Sequence, residues 1–194
     1  MTEISALAVF CGSRKGADPA HMDQARALGQ EMARRGIRLI YGGGGIGLMG
    51  EIAHSVLDAG GEVTGVIPEF LMRLEVGDPG CTTLEVVDSM HTRKARMAEL
   101  ADGFVALPGG LGTLDETFEI ITWKQLRLHD KPIVIADFGG YWSGLTRLVE
   151  ETVAGGFAHP SVQDLYSVAS SVDGLFEALA NAPEVDDRVL TSHL

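Results

Sequence analysis

Short apolar runs alternate with longer amphipathic segments along most of the chain. The runs are rich in valine, isoleucine and leucine, and they lack the polar alternation of a strand with one exposed face. Seven of them predict strands at residues 6–10, 37–41, 63–67, 84–87, 104–107, 133–136 and 166–169. Strands that alternate with helices in this way predict a parallel, right-handed and doubly wound α/β sheet covered on both faces.

The segments between the strands predict the helices. The first has the clearest bounds, since Asp18 fits the N-cap, Pro19 the first helical position and Gly36 the residue past the end. Further helices are predicted over residues 47–59, 90–101, 113–129, 143–154 and 173–180. Residues 70–83 are predicted as a loop and the tail 183–194 as mobile, so residues 1–194 are expected to form one domain.

The charge and the cysteine content of the chain limit the binding partners and the cellular compartment that we expect. The 194 residues carry a formal net charge of −12, which repels polyanions, so nucleic acid and anionic membranes are not expected as partners. Cys11 and Cys81 show no C-x-x-C spacing and the histidines are scattered, so we predict no metal site. Few cysteines, an N-terminus without the basic start of a signal peptide and no apolar run near ~20 residues favour the cytoplasm.

A glycine-rich loop, residues 42–47, follows the second predicted strand. Ligands of such sheets bind beyond the carboxyl ends of the strands, where a helix start and free backbone N–H groups form an anion site. Gly43, Gly44 and Gly45 are therefore candidate binding residues. The stretch also matches G-x-G-x-x-G, although its place on the second strand makes a dinucleotide site a weak hypothesis. Tight packing of strand against helix is the structural alternative.

The loop P-G-G-L-G-T, residues 108–113, follows the fifth predicted strand and is more specific. Gly109, Gly110 and Gly112 let the backbone coil around an oxyanion, and Thr113 can cap the next helix or donate to a phosphate. The G-K-[ST] ending of a P-loop is absent, which favours a monophosphate.

Two interpretations of the acids that follow this loop stay open. T-L-D-E at residues 113–116 matches a capping box, in which Glu116 reaches back to the helix start, but the same carboxylate can be catalytic. Asp115 can likewise serve the helix dipole at the surface or the chemistry.

Basic residues open the fourth predicted helix in H-T-R-K-A-R, residues 91–96. A cationic helix start is unfavourable to the helix dipole, so we expect an anion near Arg93 and Lys94; a solvated basic face is the alternative. Ser13, in C-G-S after the first strand, has no adjacent histidine and is expected to donate a hydrogen bond to the ligand rather than act as a nucleophile.

The motifs C-G-S, G-G-G-x-x-G-L-M-G, M-H-x-R-K and P-G-G-x-G-T-x-x-E occur in this order, and in them the sequence resembles the Lonely Guy (LOG) family of cytokinin-activating phosphoribohydrolases. The resemblance covers residues 5 to about 180. It implies a Rossmann-like fold, a homodimer and hydrolysis of N6-substituted adenosine 5'-monophosphate to free base and ribose 5-phosphate. AMP is a further expected substrate, and no cofactor is expected.

The resemblance also assigns residues. The family's catalytic arginine and glutamate fall on Arg93 and Glu116, and its phosphate loop on residues 109–113. Glu75 corresponds to an acid that approaches the nucleotide, and Thr122 lies two turns beyond Glu116. The other residues implied to bind substrate or phosphate are Ser13, Gly43, Gly44, Gly45, Met90, Lys94, Leu111, Leu114 and Asp115.

Glycosidic cleavage builds positive charge at C1' and electron density on the departing purine. Glu116 is expected to be ionised, to hold ribose hydroxyls and to position the attacking water. Two other functions compete with this one. A non-catalytic protein would bind AMP without releasing base, and a lysine decarboxylase would require a Schiff base between a lysine and pyridoxal phosphate.

Overall fold

The computed structural model describes residues 4–73 and 80–183. The strands are β1 (Ala6–Phe10), β2 (Arg38–Tyr41), β3 (Val63–Pro68), β4 (Thr83–Val87), β5 (Gly103–Ala106), β6 (Ile133–Ala136) and β7 (Ser167–Ala169). They form one sheet in the order β4-β3-β2-β1-β5-β6-β7, and every described pairing is parallel. The predicted Rossmann-like, doubly wound sheet is therefore confirmed.

The helices are α1 (Ala20–Arg34), α2 (Gly47–Asp58), α3 (Glu69–Met72), α4 (Met90–Leu100), α5 (Leu111–Gln125), α6 (Ser143–Ala154) and α7 (Val172–Ala180), with a 3₁₀ helix at Pro160–Leu165. The sequence did not predict α3 or the 3₁₀ helix, because each is too short to show helical periodicity. Helix α1 begins one residue later than predicted, so Pro19 and not Asp18 is its N-cap; Asp18 lies just before it, and its Oδ1 accepts the Ala20 N–H at 2.9 Å.

Two apolar layers enclose the sheet. Alternate residues of β1 point to opposite layers, with Leu7 and Val9 on one side and Ala8 and Phe10 on the other. Helices α1, α2 and α7 cover the first side, and α4, α5 and α6 cover the second. All residues of β1, β3, β5 and β6 are buried, which explains the missing polar alternation in their sequences.

The chain reverses direction across the sheet at β1. It runs outward from β1 through β2 and β3 to the edge strand β4, and α4 then returns it to β5, which pairs with β1. The crevice beyond the carboxyl ends of β1 and β5 is thus the topological switch point, the place where ligands bind in open α/β sheets. Within residues 4–73 and 80–183 no helix is long and apolar enough to cross a membrane.

Candidate active site

An open cavity of about 900 Å³ lies at this switch point. The loop after β1 supplies one wall and the loop after β5 with the start of α5 supplies another. Met90 and Arg93 reach in from α4, and Leu48 and Met49 from α2. Leu71, His21 and Tyr141 complete the rim. Most of the predicted chemistry therefore meets in one place.

The glycines after β2 serve packing. Gly47 has a left-handed φ of 63°, and a Cβ there would lie 2.3 Å from the Ser13 carbonyl carbon, so the loops after β1 and β2 touch through backbone. The N–H groups of Leu48 and Met49 donate to the Gly12 carbonyl at 3.1 and 3.3 Å. These first-turn donors of α2 are engaged within the protein, which removes them from the predicted anion site.

Gly43, Gly44 and Gly45, predicted to bind substrate, do not line the cavity. Gly43 has a left-handed φ of 77° and packs on Ile67, where a Cβ would lie 3.0 Å from the isoleucine Cβ. The packing alternative is thus the one that the geometry of this loop favours.

The loop after β5 forms the start of α5. Residues 109–113 all line the cavity, and Gly110 immediately precedes the first helical residue, Leu111. The first-turn N–H groups of a helix have no intrahelical acceptor, so this fifteen-residue helix presents donors and its positive dipole end to the cavity. Gly109 is required sterically, since a Cβ there would lie 2.1 Å from Thr113 Oγ1. Of the two glycine-rich loops, this one has the geometry that suits an anion.

Of the two interpretations of residues 113–116, the capping box does not fit the structure. Helix α5 begins at Leu111, so Thr113 is its third residue and Glu116 lies in its second turn. Thr113 is buried, and its carbonyl accepts the hydroxyl of Thr117 at 2.6 Å. Glu116 therefore cannot reach the helix start as a cap, and its side chain is directed into the cavity instead.

Glu116 and Arg93 face each other in the cavity wall. Their residues are only 8% and 7% exposed, and Arg93 Nη2 lies 3.5 Å from Glu116 Oε1. Burial raises the pKa of the Glu116 carboxyl to about 7, although the charge of Arg93 opposes this shift. Burial thus acts against the expected ionisation of Glu116, and the charge of Arg93 acts in favour of it.

Arg93 is held by contacts that leave part of it open to a ligand. Its Nη1 donates to Met90 Sδ at 3.8 Å, and a Cβ on Gly42 would lie 1.8 Å from its Nη2. Its buried Nε has no hydrogen-bond partner among the described residues.

The helix that carries Arg93, α4, begins with a side-chain cap. The hydroxyl of Ser89 accepts the Thr92 N–H at 3.1 Å.

Lys94 points away from the cavity toward α5. Its Nζ lies 2.9 Å from Asp115 Oδ2 and 2.9 Å from Glu119 Oε2. Lys94 and Asp115, both predicted to bind substrate, are absent from the cavity lining. The anion expected beside the basic residues of α4 is therefore supplied by α5: Glu116 for Arg93, and Asp115 with Glu119 for Lys94.

The other residues predicted to bind substrate also fall into two groups, those that line the cavity and those that do not. Ser13 and Met90 line the cavity, and Leu111 is 85% exposed at its rim. Leu114 packs against the core, and the Thr122 side chain is exposed and donates to the Phe118 carbonyl at 2.7 Å. Glu75 lies outside the described residues.

Several cavity residues were not identified from the sequence as site residues, and Tyr141 and Cys11 are two of them. The Tyr141 hydroxyl donates to the Gly109 carbonyl at 2.5 Å and so holds the loop after β5. Tyr141 follows the carboxyl end of β6, and this position at a strand end was the sequence signal that could have identified it as a site residue. Cys11 lines the cavity floor, and burial raises the pKa of its thiol, which keeps it protonated. Within residues 4–73 and 80–183 no three His, Cys, Asp or Glu side chains are grouped to hold a metal.

Solved structures resemble the fold over most of its length. The molybdenum cofactor carrier protein of Chlamydomonas reinhardtii superimposes with a TM-score of 0.70, covering 93% of this chain and 98% of that chain at 22% identity. The molybdenum cofactor binding protein of Rippkaea orientalis gives 0.69 with the same coverage and identity. At this level of identity the likeness establishes the fold alone.

Sequence comparisons give closer relatives. A family model described as "possible lysine decarboxylase" matches residues 49–179. A cytokinin riboside 5'-monophosphate phosphoribohydrolase of Arabidopsis thaliana is 40% identical over 95% of this chain and 86% of its own length. The enzyme of that name from Rhodococcoides fascians is 42% identical over 89% and 88%, and a probable one from Oryza sativa subsp. japonica is 48% identical over 78% and 68%. The chain belongs to the LOG family of cytokinin riboside 5'-monophosphate phosphoribohydrolases.

Proposed function

We propose that the protein hydrolyses the N-glycosidic bond of an N6-substituted adenosine 5'-monophosphate, releasing the free base and ribose 5-phosphate, and that AMP is also a substrate. The observation that carries the proposal is the buried pair of Glu116 and Arg93, which lies in one cavity with the start of α5. Family membership supports the same reaction, since the relatives bear its name.

The start of α5 suits the 5'-phosphate. Backbone N–H groups of residues 111–113 and the helix dipole favour a dianion there, and glycines at 109, 110 and 112 let it approach closely. Ser13 adds a hydroxyl from the neighbouring loop. Because the phosphate is remote from the bond that breaks, its binding energy serves to orient the sugar.

Glu116 acts one turn further along α5, on the ribose. As the C1'–N9 bond breaks, its electron pair leaves with the purine and positive charge develops at C1' and the ring oxygen. The ionised carboxylate stabilises that charge and accepts the proton of the water that attacks C1'. A pKa of about 7 suits a general base at neutral pH.

Arg93 stabilises the ionised form of Glu116, and its side chain lines the cavity in which we place the substrate. The Glu116 carboxylate and the positive charge that develops at C1', at ~4 Å and an effective dielectric of ~20, interact by ~4 kcal/mol, so loss of that carboxylate costs on the order of a thousandfold in rate.

Chromatography of reaction mixtures tests the proposal. The protein is incubated with isopentenyladenosine 5'-monophosphate, AMP or isopentenyladenosine, beside Glu116→Gln and the matched control Glu150→Gln, an exposed carboxylate on α6. We expect free base from both monophosphates, little from the nucleoside, on the order of a thousandfold loss in Glu116→Gln and full activity in the control. AMP binding without base release would establish the non-catalytic alternative.

Lysine decarboxylation has no support in the cavity. None of the cavity residues within the described ranges is a lysine, and the ammonium of Lys94 is bound by two carboxylates. Addition of pyridoxal phosphate is expected to produce no absorbance band of an internal aldimine near ~400 nm.

We also propose that the protein is a homodimer in the cytoplasm. Large apolar side chains exposed on the surface, among them Leu126, Leu128 and Phe157, support an interface, and the thiols of Cys11 and Cys81 fit a reducing compartment. The net charge of −12 disfavours nucleic acid and anionic membranes as partners. Light scattering that gives a monomer at micromolar concentration, or recovery in the membrane fraction, would contradict these proposals.

A further inference from the structure

Lys94 joins α4 to α5 through two ion pairs. Its side chain is 10% exposed, and its Nζ lies 2.9 Å from a carboxylate oxygen of Asp115 and 2.9 Å from one of Glu119. A lysine that is this deeply buried requires compensation for lost hydration, and two carboxylates supply it. The contact ties residues 21 to 25 positions apart in the sequence across two elements.

These two carboxylates flank the catalytic one. Asp115 directly precedes Glu116 on α5, and Glu119 follows it by one turn. Their negative charges disfavour the ionised form of Glu116, whereas Arg93 and Lys94 on α4 favour it. The buried thiol of Cys11, the residue that follows β1, is a further titratable neighbour of Glu116.

Lys94 is also badly placed to bind the substrate phosphate. It does not line the cavity, although Arg93 beside it does. Its charge is already balanced by two carboxylates, which would repel a phosphate dianion that approached them.

We propose that Lys94 is a positioning residue for the hydrolysis: it fixes α5 against α4 so that Glu116 faces Arg93, and it offsets part of the negative charge of the two acids that flank Glu116. The inference rests on the proposed function, and it departs from the alignment of motifs, which places Lys94 among the residues that touch the substrate.

The pH profile of kcat/KM with AMP tests the role of Lys94. If the ionised Glu116 is active, activity falls as pH is lowered through its pKa. In Lys94→Met we expect this acid limb to move to higher pH by on the order of half to one pH unit, with the KM for AMP within about twofold of wild type. Lys94→Arg, which keeps the charge, is expected to restore the wild-type profile.

If Lys94 instead bound the substrate phosphate directly, its substitution would have different effects. Loss of a direct phosphate contact would raise the KM for AMP by at least about tenfold, reduce the preference for AMP over adenosine and leave the acid limb in place. That combination would overturn the inference.

Two further measurements keep the test decisive. Glu119→Gln removes one of the two negative charges that flank Glu116 and leaves Lys94 balanced by Asp115 alone, so its acid limb is expected to move to lower pH, opposite to Lys94→Met. NMR titration of ¹³C-labelled glutamate carboxyls, with the Glu116 signal assigned by Glu116→Gln, follows the same shifts without catalysis. Shifted titrations in an inactive protein would defeat the proposed function alone, whereas unshifted titrations would defeat the role of Lys94.

Discussion

Gly42 leaves room for the guanidinium of Arg93. Any side chain at this position would begin inside the space that Nη2 occupies, 1.8 Å from it. The glycine therefore determines where the arginine can lie, although it makes no polar contact with it.

Gly42→Ala is expected to lower kcat about a hundredfold while the protein stays folded, because displacement of a catalytic group by about 1 Å costs that much. Steady-state kinetics beside circular dichroism measure both quantities. Gly144→Ala on α6 is the matched control, since a Cβ there meets nothing within 4 Å. Full activity in a folded Gly42→Ala protein would contradict the assigned position of Arg93.

For individual residues, the order of the motifs predicted that Arg93 and Glu116 lie together, but it did not predict the contacts that position them. Arg93 and Glu116 lie together as expected. The contacts of Gly42, Tyr141 and Lys94 join elements that are distant in sequence, so no local pattern contains them. Whether Glu116 is a cap or faces the cavity depended on where α5 begins, and a shift of two residues decided it.

Among the helices, α5 ends in a left-handed backbone conformation that the sequence did not indicate. It ends at Gln125, although the apolar pattern predicted residue 129. Arg127 closes it in the left-handed region at φ 60°, and the Leu128 N–H donates to the Trp123 carbonyl at 2.9 Å in a Schellman arrangement. Glycine is the usual residue there, and its absence removed the stop signal from the sequence.

Arg127→Gly is expected to be more stable than Arg127→Ala by about 1 kcal/mol, because both lose the side chain and only glycine relieves the left-handed backbone. Urea unfolding of the two variants gives the difference directly. Equal stabilities would show that this backbone conformation is not strained.

The hydroxyl of Tyr141, in the loop after β6, fixes the loop that leads into α5. Tyr141→Phe removes only the hydrogen bond to the Gly109 carbonyl, worth about 1 kcal/mol, so we expect the KM for AMP to rise about fivefold with little change in kcat. The rate with adenosine, which lacks the phosphate, serves as the control and should be unaffected. A change shared equally by AMP and adenosine would place the effect outside the phosphate site.

For the whole molecule, burial of Glu116 makes global stability depend on pH. Its pKa is raised from 4.5 to about 7 in the folded protein, so its protonated form favours folding. This contribution is fully present below pH 4.5 and is lost as pH rises through about 7.

Relative to Glu116→Gln, the wild-type free energy of unfolding is therefore expected to fall between pH 5 and pH 8, by up to about 3 kcal/mol. Urea unfolding at several pH values measures the difference, and Glu150→Gln supplies an exposed carboxylate for comparison. Parallel pH curves for wild type and Glu116→Gln would show that the buried carboxyl does not carry this linkage.

The sheet itself was predictable because its strands are buried on both faces and carry uninterrupted apolar runs. The strand order was not, since neighbouring strands such as β1 and β5 have no local signal of their pairing. The edge strand β4, partly exposed along its length, carries the same kind of run as the central strands.

The central place of β1 bears on how the protein forms during synthesis. Leu7 pairs with Leu39 early in the chain, but its partner on the other side, Gly103, emerges from the ribosome several seconds later at ~5–20 residues per second. The two loops that form the cavity walls follow β1 and β5, the two strands of this late pairing. A nascent chain paused before α5 would thus hold half of a sheet, with an open edge at β1 that chaperones must protect, and would have no site for a nucleotide.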